Sequence, residues 1–323
     1  MLRRRHLLAA SLPLAFATQA RADSFAAFLA GIRAEAGRAG ISAHTLNIAL
    51  AGLAPNQKVL ERDRHQPEFT MTWQQYRDLL LTDQRIAAGR AAYQQNRALF
   101  AAVQDRFGVE PSPIVGIWGL ESSYGTGTGD FHVVDALATL AWDGRRASFF
   151  RSELIAALHI LDHGDVTPAH MTGSYAGAMG QPQFMPTSYL RYAVDFEGTG
   201  RRDIWTSKPD VLGSIANYLA RSGWRGGERW GQQVLLPARF DLNGTGRDVR
   251  RPISEWTRLG VRAMDGRPLA ASDASAAIVL PDGPGGASAD AFLVTGNFTA
   301  IRRYNPSDFY AILVGLLGDS VVG

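Results

Sequence analysis

The sequence contains no cysteine. This excludes disulfides, thiolate metal sites and a cysteine nucleophile, and we expect no lipid anchor, since lipoproteins are acylated on an N-terminal cysteine. The chain also lacks a His-Glu-x-x-His zinc helix, a Walker phosphate loop, a Gly-x-Gly-x-x-Gly turn and a Gly-x-Ser-x-Gly elbow. The zinc-protease, nucleotide-binding and serine-hydrolase classes are therefore not indicated.

Long hydrophobic runs are scarce as well. The apolar run near the N-terminus, residues 7–17, is too short for a hydrocarbon core that needs about 20 residues. Three arginines precede it, and Ala20-Arg21-Ala22 follows as a small-x-small sequence that signal peptidases cut. We therefore predict residues 1–22 to be an export signal rather than a retained membrane anchor. The Arg4-Arg5 pair permits either the general or the twin-arginine route.

This N-terminal segment has no acidic residue, and that decides the charge balance. Its four arginines reduce the 33 Lys+Arg of the whole chain to 29, against 30 Asp+Glu, so the mature net charge is about −1 with neutral histidines. Such a chain has no basic footprint for nucleic acid, and we expect no nucleic-acid partner. An exported protein without an anchor is expected to be periplasmic.

The sequence does contain a long helical pattern. With 323 residues, of which 46% are hydrophobic, the chain can bury one large core or two modest ones. Helical periodicity runs from residue 24 to residue 107, with breaks at Gly40, Pro55 and Pro67. Gly108 follows directly, where a C-terminal cap is expected.

The next predicted helix carries the most informative stretch, IVGIWGLESSYG. Ser112 fits an N-cap and Pro113 the first helical position, and the pattern stops near Gly125. Further helices are predicted over residues 147–163 and 210–221, since each has apolar residues on one face.

A sequence pattern typical of short β-strands follows. Residues 230–294 contain short apolar runs between turns, residues 281–290 form the clearest loop, and a last helix is predicted over residues 307–317. We therefore predict a mainly α (α+β) protein. Its predicted segments are an N-terminal helical subdomain (23–110), a core (111–227), a small β-rich insertion (228–296) and a C-terminal helix returning to the core (297–323).

Glu121 follows seven residues without a charge. On a helix, Ile117 and Trp118 lie one turn before it and would withdraw its carboxyl from water, which raises a carboxyl pKa. The partial negative charge of a helix C-terminus acts in the same direction. A carboxyl kept protonated suits a general acid for a glycosidic oxygen. The alternative is a surface acid, or a buried acid paired with Arg145 or Arg146.

A glycine-rich passage, GSYAGAMGQPQFMPTSY, spans residues 173–189. Its glycines allow close approach of the backbone to a ligand or to another strand. Gln183 offers a paired donor and acceptor and Ser174 a hydroxyl, which suit sugar hydroxyl and acetamido groups. The alternative is a tightly packed loop, and we interpret Met179 and Met185 as core filler.

The stretch DFEGTGRRDIWT partly fits a calcium loop. Asp195, Glu197 and Asp203 occupy ligand positions, but Thr199 and Thr206 stand where two further acids are expected. Because two missing acids remove much of the loop's charge, we predict an ordinary glycine-rich turn rather than a metal site.

Five ordered motifs resemble those of a known family. ESSYG, GAMGQPQFMPTSY, YAVDFEGTG, GSIANYLARSGW and RYNPSDFYA are similar to motifs of the lytic murein transglycosylases of the membrane-bound B type, and the likeness covers nearly all of the mature chain. The resemblance implies a lysozyme-like catalytic core that cleaves the MurNAc-GlcNAc β-1,4 bond of peptidoglycan without water. It implies no required cofactor, although the family's calcium loop, altered here at Thr199, leaves calcium as a possible ligand. Peptidoglycan glycan strands are the implied partner, and any partner in the envelope machinery stays unknown.

The resemblance also implies roles for individual residues. Glu121 falls on the family's sole catalytic acid and base. The implied lining of the glycan cleft consists of Ser174, Gln183, Tyr218, Tyr304 and Tyr310. Tyrosine suits such a cleft because its ring face stacks on a sugar while its hydroxyl stays hydrogen-bonded. The lack of cysteine implies a relative without a lipid anchor.

The implied mechanism uses one carboxyl where typical glycosidases use two. Protonated Glu121 would give its proton to the leaving oxygen, then take a proton from the C6 hydroxyl of the same MurNAc as that hydroxyl attacks C1. The product would be a 1,6-anhydro end. Two alternatives stay open: a hydrolytic muramidase of the same fold, and a catalytically silent peptidoglycan-binding protein.

Overall fold

The computed structural model describes residues 13–64 and 71–323, with side chains from Ser24 onward. The first twelve residues of the predicted export signal lie outside the described residues, as does the predicted break at Pro67. The helices are α1 (Pro13–Arg38), α2 (Ala43–Ala49), α3 (Gln57–Arg64), α4 (Trp73–Leu80), α5 (Asp83–Gln95), α6 (Arg97–Phe107), α7 (Pro111–Ser122), α8 (Val133–Asp143), α9 (Ala147–His163), α10 (Pro186–Tyr192), α11 (Lys208–Arg221), α12 (Ile253–Arg258), α13 (Gly296–Tyr304) and α14 (Asp308–Val322).

Seven short strands accompany these helices. They are β1 (Phe131–His132), β2 (Thr172–Gly173), β3 (Gly231–Leu235), β4 (Arg250–Pro252), β5 (Arg262–Ala263), β6 (Ser275–Val279) and β7 (Ala291–Val294). The mainly α (α+β) class predicted from the sequence is therefore confirmed. Within the described residues, no helix is both long and apolar enough to span a membrane.

The chain forms two compact units. The first consists of Met1–His65, Gly129–Ala178 and Met185–Leu190, and the second of Gln66–Thr128, Met179–Phe184 and Arg191–Gly323. Each unit therefore takes up several separate parts of the chain. The boundaries of the five segments proposed from the sequence stay a prediction.

The first unit is built on the packing of α8 against α9. Helix α9 covers the predicted range, and buried carboxylates hold neighbouring segments to it. Glu153 accepts hydrogen bonds from the backbone N–H and hydroxyl of Thr187 at 2.9 and 2.7 Å. Strands β1 and β2 pair antiparallel, with Phe131 opposite Gly173. A Cβ at Gly129 would lie 2.2 Å from the carbonyl oxygen of Gly173, so only glycine fits there.

The second unit is built around α7, which packs against α14. The helices approach closely because a Cβ at Gly116 would lie 2.3 Å from the carbonyl oxygen of Val314, and one at Gly318 would lie 2.1 Å from that of Ser112. Eight of the twelve residues of α7 are buried and the other four are half-buried. The close packing fixes α7, and with it the position of Glu121 near the helix end.

Helix α7 begins earlier than the sequence predicts. Pro111, rather than Pro113, occupies its first position, and Glu110 takes the N-cap place of Ser112. The carboxylate of Glu110 does not cap the helix; it accepts hydrogen bonds from Trp224 Nε1 at 2.7 Å and from the backbone N–H of Gly227 at 2.5 Å. The prediction was wrong by two residues because either proline can occupy the first turn, where the missing N–H costs nothing.

The predicted β-like segment forms a five-stranded antiparallel sheet of order β4-β6-β7-β3-β5. Both faces of β6 are covered: Ala277 and Val279 belong to the helical core, whereas Ala276 and Ile278 pack with Trp256 of α12. Burial on both faces explains why this strand reads as a continuous apolar run rather than an alternating one. Residues 281–290 form a loop, as predicted.

The C-terminal helices differ slightly from their predicted ranges. Helix α11 begins at Lys208, two residues before the predicted start, because Ser207 caps it by accepting the N–H of Asp210. Ser307 caps α14 in the same way through the N–H of Tyr310, and α14 continues to Val322. These caps set the positions of Tyr218 and Tyr310 on their helices.

Candidate active site

Glu121 lies in the last turn of α7 and is half-buried. The hydroxyl of Tyr310 donates a hydrogen bond of 2.6 Å to its Oε1. Tyr310 is 4% exposed and sits in the first turn of α14. The sequence places these two residues far apart, and the packing of α7 against α14 brings them together.

Burial raises the pKa of Tyr310 well above its ordinary value, and the nearby charge of Glu121 raises it further. Burial likewise raises the pKa of Tyr304, with Glu121 as the next cause. Both phenols therefore stay protonated at neutral pH. Tyr310 is thus a permanent donor to the carboxylate and holds one of its two oxygens in place.

The ESSYG motif shapes the turn after Glu121. Ser123 and Tyr124 have φ angles of 47° and 60°, in the left-handed region. Ser122 donates its hydroxyl hydrogen to the carbonyl of Trp118 at 3.2 Å and accepts the N–H of Gly125 at 3.1 Å. The serine and tyrosine of the motif therefore build the reversal of the chain that follows Glu121.

Tyr124 is a structural residue of this turn. Its hydroxyl donates to the carbonyl of Arg85 at 3.1 Å, and burial raises its pKa to about 12. Its ring occupies the space left by Gly119, where a Cβ would lie 2.7 Å away. Its ring also packs on Trp118 in a T-shaped arrangement, with 5.7 Å between the ring centroids.

Three tyrosines form a second cluster. The ring centroids of Tyr192 and Tyr218 lie 4.2 Å apart, and those of Tyr218 and Tyr304 lie 4.6 Å apart. Tyr218 donates its hydroxyl to the carbonyl of Arg303 at 2.5 Å, and Tyr304 to that of Pro182 at 2.5 Å. Burial raises the pKa of Tyr218 to about 12. The hydroxyls of Tyr218 and Tyr304 anchor their rings to the backbone and make the cluster a rigid aromatic surface, in which Tyr192 and Tyr304 are half-buried and Tyr218 is 9% exposed.

Tyr192 was missed at the sequence level, although the motif GAMGQPQFMPTSY ends only three residues before it. Gln181 was missed too. Its side-chain oxygen accepts Trp118 Nε1 at 2.8 Å and its amide nitrogen donates to the carbonyl of Trp205 at 2.9 Å. It thereby ties the glycine-rich passage to α7, close to the turn that carries Glu121. A glutamine two residues before Gln183 was the signal that could have indicated it.

Gln183 has a φ of 50°, a strained value for a residue with a side chain. Its amide nitrogen donates to the carbonyls of Thr128 at 2.9 Å and Gly180 at 2.8 Å. Both amide hydrogens are therefore used within the second unit. The side-chain oxygen is the polar atom that Gln183 can offer to a ligand.

Ser174 belongs to the first unit, whereas the other predicted site residues belong to the second. Its hydroxyl oxygen accepts the backbone N–H groups of Ala176 at 3.3 Å and Ala178 at 3.1 Å. These bonds close a tight turn. A role for Ser174 in ligand binding stays a prediction.

The predicted alternative partners of Glu121 have other contacts. Arg145 donates to Asp63 in the first unit, with a 2.9 Å bond from Nε to Oδ2. The guanidinium of Arg146 lies 4.3 Å from the ring centroid of Phe149. These contacts of Arg145 and Arg146 lie within the first unit, and the pairing of Glu121 with either arginine stays an untested alternative.

Two acidic residues of the candidate calcium loop accept hydrogen bonds from the backbone of their own loop. Asp195 accepts the backbone N–H groups of residues 198–200 at 2.6–2.9 Å, and these bonds, with that of Thr199 as the largest cause, lower its pKa. Asp203 accepts those of Trp205 and Thr206. Glu197 is exposed. The part of the chain that the structure describes holds no group of three acidic or histidine side chains able to bind a metal ion.

The chain matches the family described as Transglycosylase SLT domain over residues 24–319. Membrane-bound lytic murein transglycosylase B of Escherichia coli (strain K12) is 34% identical over 252 residues, 77% of this chain and 67% of that protein. The crystal structure of SltB3 from Pseudomonas aeruginosa in complex with NAG-anhNAM-pentapeptide has a TM-score of 0.88 and 46% identity, covering 93% of this chain and 80% of that one. For soluble lytic transglycosylase SltB1 of the same organism, the TM-score is 0.79 and the identity 32%, with 91% and 97% covered.

The family match spans nearly all of the described residues, and the similar structures agree with it at identities of 30% and above. The resemblance found in the five motifs is thereby confirmed. The chain belongs to the Transglycosylase SLT domain family and is a lytic transglycosylase with a lysozyme-like core.

Proposed function

We propose that Glu121 is the catalytic acid and base with which this lytic transglycosylase cleaves the MurNAc-GlcNAc β-1,4 bond of peptidoglycan. The observation that carries the proposal is the 2.6 Å hydrogen bond from Tyr310 to Glu121 at the end of a buried helix. A carboxyl oriented by a buried donor meets the geometric requirement of a proton-transfer group. The similar SltB3 was solved with a NAG-anhNAM-pentapeptide, which supports an anhydro product.

The proposed reaction has two proton transfers. Protonated Glu121 donates its proton to the glycosidic oxygen as the bond from that oxygen to C1 of MurNAc breaks. The resulting carboxylate then accepts the proton of the C6 hydroxyl of the same sugar, and the C6 oxygen forms the new bond to C1. Glu121 ends protonated again, no water is consumed, and the products are a 1,6-anhydroMurNAc end and a free GlcNAc hydroxyl.

Tyr310 has a distinct part in this scheme. Its hydrogen bond to Oε1 stabilises the carboxylate form of Glu121, which exists between the two transfers. Tyr310 therefore both orients the acid and lowers the cost of its ionised state.

We further propose that the aromatic surface, with Tyr218 and Tyr304, lines the site that binds sugar rings and that Gln183 binds their polar groups. For Ser174, in the first unit, we propose separately that its hydroxyl binds a polar group of a sugar. Anchored ring faces suit sugars because they lose little side-chain freedom on binding. We propose a reaction that uses no metal step. The predicted export signal supports action in the periplasm.

The decisive test is product analysis with the E121Q variant. The mature wild-type protein is expected to release, from purified sacculi, muropeptides lighter than hydrolytic products by the mass of one water, as mass spectrometry would show. E121Q keeps the shape of the side chain and is expected to release none. Reducing-end products would instead identify a muramidase, and binding to sacculi without release by the wild type would identify a silent binding protein. Full activity in E121Q would remove Glu121 from the mechanism.

A further inference from the structure

A cavity of about 450 Å³ in the second unit holds three arginines. It lies where the C-terminal end of α11, the start of α13 and the edge strand β4 meet. Arg225, Arg250 and Arg303 line it, with Glu228 as the acid among the lining residues. We call this cavity the arginine pocket.

Neutral partners hold two of these guanidinium groups. Arg303 Nη1 donates to the carbonyl of Ser222 at 2.7 Å. Arg250 donates through Nε to the hydroxyl of Ser275 at 3.2 Å and through Nη2 to its carbonyl at 2.8 Å. Carbonyl and hydroxyl partners fix a guanidinium without cancelling its charge. Both arginines therefore keep a full positive charge in the pocket.

The third arginine is only weakly neutralised. Arg225 Nη1 lies 3.8 Å from Glu228 Oε2, and the Arg225 side chain is 76% exposed. Glu228 also accepts the backbone N–H of Gly296 at 3.2 Å. An exposed ion pair of this length contributes little. The pocket thus has an excess of two positive charges, and its chemistry fits an anion such as a carboxylate, which a guanidinium binds through paired hydrogen bonds.

The arginine pocket adjoins the aromatic surface proposed to bind the glycan. Arg303 directly precedes Tyr304, and its carbonyl accepts the hydroxyl of Tyr218. Tyr218 lies one helical turn, about 6 Å along the axis, before Ser222 at the pocket edge. The pocket edge therefore lies about one helical turn from the tyrosine cluster proposed to line the glycan site.

The substrate class offers such a group. The similar SltB3 was solved with NAG-NAM-pentapeptide as well as with the anhydro form, so the glycan units it holds carry a peptide. Any such peptide ends in a carboxylate. We propose that the arginine pocket binds a carboxylate of the peptide carried by the muramyl sugar, and this rests on the function proposed above. The pocket would then make the enzyme favour strands with peptides over bare glycan.

The test compares two substrates: glycan strands that carry peptides, and the same strands after an amidase has removed the peptides. A double variant R225Q/R250Q removes two charges and keeps Arg303, whose side chain and backbone support the pocket wall. R225K/R250K keeps the charge, and R258Q changes an exposed arginine of α12 as a matched control. Thermal melting checks that each variant is folded.

For the double glutamine variant, we expect KM on peptide-bearing strands to rise about tenfold, equivalent to about 1.4 kcal/mol, with kcat nearly unchanged. On bare strands, the KM of the double glutamine variant should equal that of the wild type. The wild type should itself have a higher KM on bare strands than on peptide-bearing strands. The lysine variant should recover most of the affinity, and R258Q should behave as the wild type on both substrates.

Other outcomes separate the two proposals. An equal loss on both substrates, or no loss on either, would overturn the peptide role of the pocket. Competition by inorganic phosphate without any effect of peptide removal would assign the pocket to a different anion and also overturn it. If the wild type cleaved neither substrate, the proposed function itself would fail. The affinity of the wild type for strands with and without peptides would then show separately whether the pocket binds the peptide.

Discussion

Replacing Tyr310 with phenylalanine removes a single hydroxyl from the candidate active site. Because the ring is kept, the packing of this 4% exposed side chain is conserved, and what is lost is the 2.6 Å hydrogen bond to Glu121. A hydrogen bond to a charged group contributes about 1.5–3 kcal/mol. If that stabilisation is realised in the transition state, kcat falls by roughly 10- to 150-fold.

The pH profile separates this role from a loss of packing. Glu121 must be protonated to start the reaction, and without the phenol its carboxylate form is less stable, so the alkaline limb of kcat/KM against pH moves to higher pH. The assay is the initial rate of anhydro-muropeptide release from sacculi across pH 4–9. Y93F serves as a control, since Tyr93 is a half-buried tyrosine of the same unit whose ring packs on Phe100. A Y310F enzyme with unchanged kcat and an unmoved profile would refute the reasoning, whereas a drop in melting temperature alone would indicate a structural role.

Three further predictions concern stability. G116A should destabilise the protein by about 1–3 kcal/mol in urea unfolding, since its Cβ would lie 2.3 Å from the carbonyl oxygen of Val314. The control G37A should not destabilise it, because no atom lies within 4 Å of a Cβ at that position. Equal effects of the two variants would contradict the close-packing argument. Tyr124 and Tyr218 have pKa values raised to about 12, so between pH 10 and 12 the unfolded chain loses protons that the folded chain keeps. The free energy of unfolding should therefore fall by about 1.4 kcal/mol per pH unit for each tyrosine. The Y124F variant should show a shallower fall over the same pH range. Adding calcium or a chelator should leave the melting temperature unchanged, and a rise with calcium would show that the Asp195 loop binds it.

Local features of the fold were predictable because their causes lie within a few residues. Gly108 ends α6 with a φ of 67°, as expected of a C-terminal cap. Helix α9 covers residues 147–163 as predicted, since its apolar face repeats at helical spacing. Helix starts were less certain. Neighbouring prolines and serines offer equivalent first turns, so α7 and α11 each begin two residues from the predicted start.

The partners of Glu121 were not predictable from local pattern. The run of apolar residues before it suggested a carboxyl surrounded by hydrophobic groups, and residues 113–119 of that run are indeed buried. Glu121 itself is half-buried and accepts a hydrogen bond from Tyr310, which is separated from it by 189 residues. No periodicity contains that contact, because it depends on two glycines that let α7 and α14 approach.

The order of residues along the chain is enough to show which side chains can do the chemistry. An acid at the end of an apolar helix, a glycine-rich passage with Gln183, and ordered motifs with tyrosines are properties of the chain order. Folding sets the contacts of those groups: Tyr310 donates to Glu121, Tyr218 and Tyr304 pack in one anchored aromatic surface, and three arginines distant in sequence share one cavity. Hydrogen bonds and charge interactions act over a few ångströms, so only the packing of distant segments can bring them into range.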